Sequence, residues 1–527
     1  MTVFGKALKS ASWVMGILLI IKVFGFVEKQ VLAYFFGTGF QIDAYFVTFG
    51  ILIVFWDCIR DLIGPSFLPV LVETKENQTE AQGWKLISIL LNLLAIILLG
   101  LSLLCVLFAP SLVHFIAPGF KDEQFRVAVN LIRIMFTGAA FFGIEILTFQ
   151  VLNSYHRFVL AVLGDFSFKV LGLLGLVTLY HSLGIYGLGV GILVGSLVAP
   201  LIHLAGLWRK RYLYQPTLDI SFGPFRKVIS LMLPLVAGLF FTQGRRIIDN
   251  AFASTLAVGS VSALTFAYRL IDFPFVAIAE PLAVVLFPFF SDLAVRQSKT
   301  DSPSLRRERM GENELVETLM VALKTIFLIF IPLSIGLFTL RVPIIQLLFE
   351  RGHFDANSTQ MTVLPLTFYA WGMTSNALEA VLLRFYYALS DTKTPILLEV
   401  IAVLFHVTLV YFLIDPLQHG GIALAFTLSK TLKVSLLYIL LKGKVVNLHF
   451  YNLLGFLAKL GLAGIAMGAS IYFYHDWVKV LLDLSHLVGR GILVGSAGMV
   501  GLLTFFGMVL LLRVREVGTL VHLLRPH

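Results

Sequence analysis

Three ionisable side chains stand in a stretch that should tolerate none. Between Val261 and Phe290 the chain is apolar and long enough to cross a bilayer, yet Ala267–Pro281 (AYRLIDFPFVAIAEP) carries Arg269, Asp272 and Glu280. A charge near the bilayer centre costs roughly 2.5–3.5 kcal/mol on insertion scales. Such residues therefore face a protein interior or a watery cavity, not lipid. At about 100° per residue, Arg269 and Glu280 share one helix face, with Asp272 about 60° away. Pro274 and Pro281 each remove a backbone hydrogen bond and predict a bent helix.

Similar groups recur in three other apolar segments. The first holds Lys22, Glu28 and Lys29; the second Asp43, Asp57, Arg60 and Asp61; the seventh Arg245, Arg246 and Asp249. Asp43 and Asp61 lie five turns apart on one face, and Arg245 and Asp249 form an i,i+4 pair. Cations and carboxylates are nearly balanced, which argues against a simple anion trap. The clusters predict a hydrophilic substrate cavity; the competing reading is a set of buried ion pairs that fix helix packing. Glu145, Asp165 with Lys169 one turn on, Lys324, Glu379, Arg384, Glu399, Lys430, Lys433 and Lys459 are scattered and read as paired or interfacial. His203 and His406 read as hydrogen-bonded packing residues rather than proton relays.

The elements that must position these charges are membrane helices. The 527 residues are 58% hydrophobic and only 13% charged, with mean hydropathy +0.91. Soluble domains average about 25% charged, so this is an all-α polytopic membrane protein. Apolar segments predict about fourteen spans, near residues 10–33, 43–72, 86–109, 127–151, 158–180, 186–208, 227–249, 260–291, 318–340, 360–387, 395–414, 420–441, 451–474 and 490–512. Lys and Arg concentrate in alternate loops, which predicts both termini in the cytoplasm. The net charge of +10 is explained by that bias, and nucleic-acid binding is not implied. The first segment contains Lys22 and lacks a small-residue cleavage site, so it reads as a retained span. The polar segment Ser291–Glu317, with Arg306, Arg307 and Arg309, reads as a solvated, partly disordered cytoplasmic connector.

Nothing in the chain reads as catalytic. Cys58 and Cys105 sit in apolar runs as packing residues, without a disulfide framework or metal-ligand spacing. There is no Walker A motif and no Gly-x-Ser-x-Gly elbow, so neither enzyme activity nor a cofactor is expected. Transport would draw on ion gradients or on the membrane potential, which supplies about 2.3 kcal/mol per charge per 100 mV.

A faint repeat runs through the chain. A shift of 234 residues lays Gly187–Ser196 over Gly421–Lys430, and Ser154–Phe158 over Ala388–Thr392. A six-plus-six parallel repeat predicts two lobes, a transporter design. The expected boundaries are 1–215 for spans one to six, 216–445 for spans seven to twelve, and 446–527 for two further spans. Spans seven and eight then repeat spans one and two, and their charged clusters should face each other.

Several stretches resemble the MurJ (MviN) family of lipid II flippases in the MOP exporter superfamily. They are Lys22–Phe49 with Ser66–Leu71, Ser262–Phe275 with Leu286–Ser291, Leu347–Phe354 (LLFERGHF) and Phe385–Pro395 (FYYALSDTKTP). The resemblance implies a bacterial inner-membrane protein that moves undecaprenyl-pyrophosphate-linked peptidoglycan precursor outward by alternating access. It implies a lipid-tail groove in spans thirteen and fourteen, a monomer, and contacts with membrane lipids and peptidoglycan-synthesis proteins. Family cavity residues correspond to Lys22, Asp43, Arg269 and Asp272, of which Lys22 and Arg269 could hold pyrophosphate. The chain departs from the pattern at Glu28, Lys29, Phe55, Trp56 and Arg60. Glu28 and Arg60 look like an exchanged charge pair across spans one and two. His406 and Val410 stand where some members bind sodium. Alternatives are a flippase for another polyprenyl-linked saccharide or amphiphile, and a non-transporting cell-envelope scaffold.

Overall fold

The computed structural model describes residues 3–298, 305–441, 443–445, 450–484 and 486–514. Its helices are α1 Val3–Phe36, α2 Phe40–Asn77, α3 Glu80–Leu107, α4 Ala109–Ile116, α5 Asp122–Thr137, α6 Ala139–Ser154, α7 Phe158–Leu183, α8 Tyr186–Leu207 and α9 Gly223–Ser254. Next come α10 Ser260–Pro274, α11 Glu280–Ser298, α12 Leu305–Thr339, α13 Arg341–Leu348, α14 Ala356–Ala388, α15 Lys393–Leu417, α16 His419–Leu441, α17 Phe450–Val478 and α18 Leu487–Leu511. No strand occurs among the described residues. Each expected span falls on a helix or a broken pair of helices. Ten described helices are long and apolar enough to cross a membrane, or eleven if α5 and α6, bent by 42°, form one span. This is an all-α, multi-pass membrane protein.

Two corrections concern helix continuity. The expected polar connector 291–317 is largely helical, since α11 runs to Ser298 and α12 begins at Leu305. Residues 299–304 and the side chains of Arg306, Arg307 and Arg309 lie outside the described residues, as do Met1 and His527. Polar composition hid this helix because Arg, Glu, Met and Leu are good helix formers in water as well. The second correction is the bend after Arg269. Phe275–Ala279 forms a π turn between α10 and α11, closed by the Glu280 N–H on the Phe275 carbonyl. It starts directly after Pro274. The turn adds one residue and rotates α11 by about 100° relative to a uniform helix. Arg269 and Glu280 therefore leave the common face expected of them.

The chain forms two compact units. One comprises residues 1–32 and 38–262, the other 33–37 and 263–527. In the first, α7 and α8 pack through glycines, and a Cβ on Gly175 would lie 2.6 Å from the Gly187 carbonyl oxygen. In the second, α15 and α16 make the corresponding hairpin, with Gly421 against the Leu413 carbonyl. The offset that relates the two sequences also relates backbone conformations. His156 and Ser390 both have φ 57°, and Gly184 and Gln418 have φ 54° and 49°.

The second unit also explains the LLFERGHF motif. Gly352 has φ +61°, and a Cβ there would meet the Tyr34 carbonyl oxygen at 2.4 Å. Gly37 has φ +55°, and its Cβ would meet the His353 carbonyl oxygen at 2.2 Å. The His353 N–H donates to the Tyr34 carbonyl at 2.9 Å, and Phe266, Phe349 and Phe354 cluster in the same unit.

Candidate functional site

In the first unit the charges of spans one, two and seven are mostly spoken for. Lys29 pairs with its neighbour Glu28 at 2.9 Å, and both are buried. The Lys29 ammonium also lies 5.2 Å from the Phe46 ring centre and 5.8 Å from that of Phe49. Arg60 reaches Asp165 on α7 at 3.1 Å and lies over the Trp56 ring at 4.8 Å. The expected Glu28–Arg60 pair is thus absent. Adjacent acid and base on α1 satisfy each other, and Arg60 turns to an acid 105 residues away. Asp57 pairs with Arg246 on α9 at 3.0 Å. Arg245 and Asp249 form the expected i,i+4 pair at 4.0 Å, the outer limit of an ion pair. Asp61 is exposed.

Asp43 has a different task from the one its position suggested. It is 1% exposed, and its carboxylate accepts hydrogen bonds from the Gly259 N–H at 2.6 Å and the Ser262 N–H at 2.8 Å. Those are the donors that a starting helix leaves without partners. Asp43 therefore caps α10 from another helix, and at 1% exposure it is buried at that cap. Its place in the sequence suggests a cavity residue because a tertiary cap has no local signature.

Lys22 is the cation left without a carboxylate. It is exposed on α1 and makes no ion pair with the described residues. In the second unit, Arg269 and Asp272 form an i,i+3 pair at 2.7 Å, with 36% and 19% of their side chains exposed. Glu280 is exposed beyond the π turn. A half-open guanidinium inside an apolar helix requires water or a polar ligand beside it. Its remaining N–H groups have the planar fork that matches phosphate oxygens.

The scattered charges also find partners. Glu379 on α14 binds both Lys430, at 2.5 Å, and Lys433 on α16, and Lys433 also binds Glu399 on α15. Sequence spacing could not show this network because its members lie on three helices. His203 is a packing residue, with Nε2 donating to the Ala161 carbonyl and Nδ1 bonded to the Thr148 hydroxyl, both at 2.9 Å.

Apolar, bilayer-length helices that carry ionisable side chains within their spans define the class of a multi-pass membrane transporter. The profile of the family described as "Lipid II flippase MurJ" matches residues 32–487. The chain belongs to that family. The probable lipid II flippase MurJ of Buchnera aphidicola subsp. Acyrthosiphon pisum is 28% identical over 438 residues, 82% of this chain and 83% of that one. The probable lipid II flippase MurJ of Vibrio cholerae is 26% identical over 98% of both chains. A solved structure of "Lipid II flippase MurJ, inward closed conformation" superposes with TM-score 0.78 at 20% identity, covering 96% of this chain and 99% of that one. An inward-facing multidrug resistance MATE family transporter of the MOP superfamily superposes with TM-score 0.64 at 13% identity, covering 80% and 93%.

Proposed function

We propose that this protein translocates lipid II across the cytoplasmic membrane by alternating access, with Lys22 and Arg269 as the cations that receive the pyrophosphate. The observation that carries the residue assignment is the state of those two side chains. Among the six cations of spans one, two, seven and eight, Lys29, Arg60, Arg245 and Arg246 are committed to carboxylates in the first unit. Lys22 makes no such pair, and Arg269 spends only part of its fork on Asp272. In this reading Asp272 holds the guanidinium in place until the substrate takes it over. Two six-helix lobes provide the alternating motion. The last pair of helices serves the lipid tail, which fits the exposed Leu462, Ile465, Phe473 and Leu503 on α17 and α18.

Flipping measured in proteoliposomes tests the assignment. Arg269→Ala should lose at least about 2 kcal/mol of substrate interaction, a drop of more than tenfold, while inserting and accumulating normally. Arg269→Lys should recover part of the activity, since the charge remains and the fork is lost. If Arg269 is instead purely a partner of Asp272, Arg269→Ala will lower thermal stability by leaving an unpaired carboxylate. Full flipping by a stable Arg269→Ala protein would remove it from the site.

A further inference from the structure

The two units carry the same pair of acids, one buried and one half-buried, and they neutralise it differently. The offset that overlays His156 on Ser390 also overlays Glu145 on Glu379 and Asp165 on Glu399. In the second unit Lys430 and Lys433 compensate both acids. The equivalent positions in the first unit are Ser196 and Ala199, which bring no charge. A single cation, Arg60, enters from α2, and it is bonded to Asp165. Glu145 is left 1% exposed, with neither carboxylate oxygen hydrogen-bonded among the described residues.

Five helices pack on α6, and none of them brings Glu145 a full partner. From α2 come Arg60 and the indole N–H of Trp56, which also lacks a hydrogen bond. Even a closer approach by that N–H would satisfy one oxygen of two. From α7 comes Asp165, a like charge, with Lys169 a turn away over the Phe168 ring at 5.7 Å. From α8 comes His203, whose two ring nitrogens are already bonded to Thr148 and Ala161. Between Leu86 and Leu107 α3 has no charged residue, and Arg126 and Arg133 of α5 are exposed. Trp56, Phe142 and Phe168 wall the cluster with rings 4.6–5.6 Å apart. A bare carboxylate in such surroundings costs far more than a paired one, and it neutralises instead.

We propose that Glu145 is a proton-binding site, and that release and uptake of its proton, steered by Asp165 and Arg60, couple a proton gradient to transport. The coupling half rests on the flippase reading; the proton site stands without it. Chemically, the carboxyl O–H of Glu145 gives its proton to water and regains it, and Arg60 is the counter-charge available to either acid in turn. The second unit, with lysines built in, has no need of a mobile proton.

The site is tested on the full-length protein in lipid nanodiscs by infrared difference spectroscopy over a pH titration. The expected result is a C=O stretching band of a protonated carboxyl that fades as pH rises and is missing in Glu145→Gln. Glu145→Gln should keep the wild-type melting temperature at neutral pH, because the amide replaces an already neutral group. Glu379→Gln, which strips two lysines of a shared acid, should melt lower. A band that survives Glu145→Gln, or a Glu145→Gln protein that melts as low as Glu379→Gln, overturns the proton site. Coupling is read separately, as flipping under an imposed pH gradient. Wild type should respond to the gradient and Glu145→Gln should not. Flipping indifferent to the gradient overturns the coupling, as does a sodium dependence at constant pH that Glu145→Gln removes. Absence of any flipping would instead count against the flippase reading and leave the infrared result standing.

Discussion

Asp43 sits in the first turn of α2, yet its carboxylate holds the start of α10, the helix that carries Arg269. Asp43→Asn offers one acceptor oxygen where two N–H groups need partners, and its own NH2 opposes the second. The cost should be about 2–3 kcal/mol, read as a lower melting temperature in detergent. Arg60 supports another prediction about single side chains. Swapping charges between Glu28 and Arg60 should restore nothing, because each has another partner. Arg60→Asp combined with Asp165→Arg should recover stability that either single change loses; a fully buried pair would lose about 3–5 kcal/mol when broken. Arg60 is 42% exposed, so solvent screening brings the expected loss down to about 1 kcal/mol. Which residues are charged was plain in the sequence. Who meets whom was not, since Arg60 and Arg246 find acids 105 and 189 residues away. Periodicity reveals neighbours one turn apart and is silent on everything else.

Among elements, the helices themselves were legible because bilayer-length apolar runs leave few alternatives. Their irregularities were not. The uniform 100° rotation used to align Arg269 with Glu280 ignores the π turn, and a proline announces a bend without saying how the freed groups will be met. The junction between α14 and α15 illustrates a legible motif with an unforeseen purpose. Asp391 accepts from the backbone N–H groups of Lys393 and Thr394 at 3.1 and 3.0 Å, and it pairs with Lys444 after α16 at 2.8 Å. Desolvation would raise its pKa, but the bonds from Lys444 and Thr394 outweigh it and hold the carboxyl down at about 2. The folded-state value lies below the unfolded one. The stabilisation is therefore complete above about pH 4 and is lost as pH falls toward 2. Lys444 is 38% exposed, so the ion-pair share is discounted to about 1 kcal/mol. Asp391→Asn should lower the melting temperature at neutral pH and flatten its decline between about pH 4 and 2.

For the whole molecule, the family is given by the match over residues 32–487 and the fold by the all-helical chain. Orientation in the membrane rests on the distribution of Lys and Arg. Reporter fusions or cysteine labelling should place both termini and the segment after α11 on the cytoplasmic side. An external carboxy terminus would mean that one of the fourteen expected segments does not cross.

The glycine contacts of the second unit have a consequence for the birth of the protein. Residues 33–37 belong with residues 352–354, which leave the ribosome more than 300 residues later. At roughly 5–20 residues per second, that is a wait on the order of 15–60 seconds. Throughout that interval the end of α1 is in or near the membrane without the chain it is shaped to meet. The Tyr34 carbonyl and the left-handed backbone at Gly37 must be accommodated by water, lipid or an insertion factor until the partner arrives. The second unit thus cannot be finished as a block after the first, and the last turn of α1 is held in place only once residues 352–354 have been made.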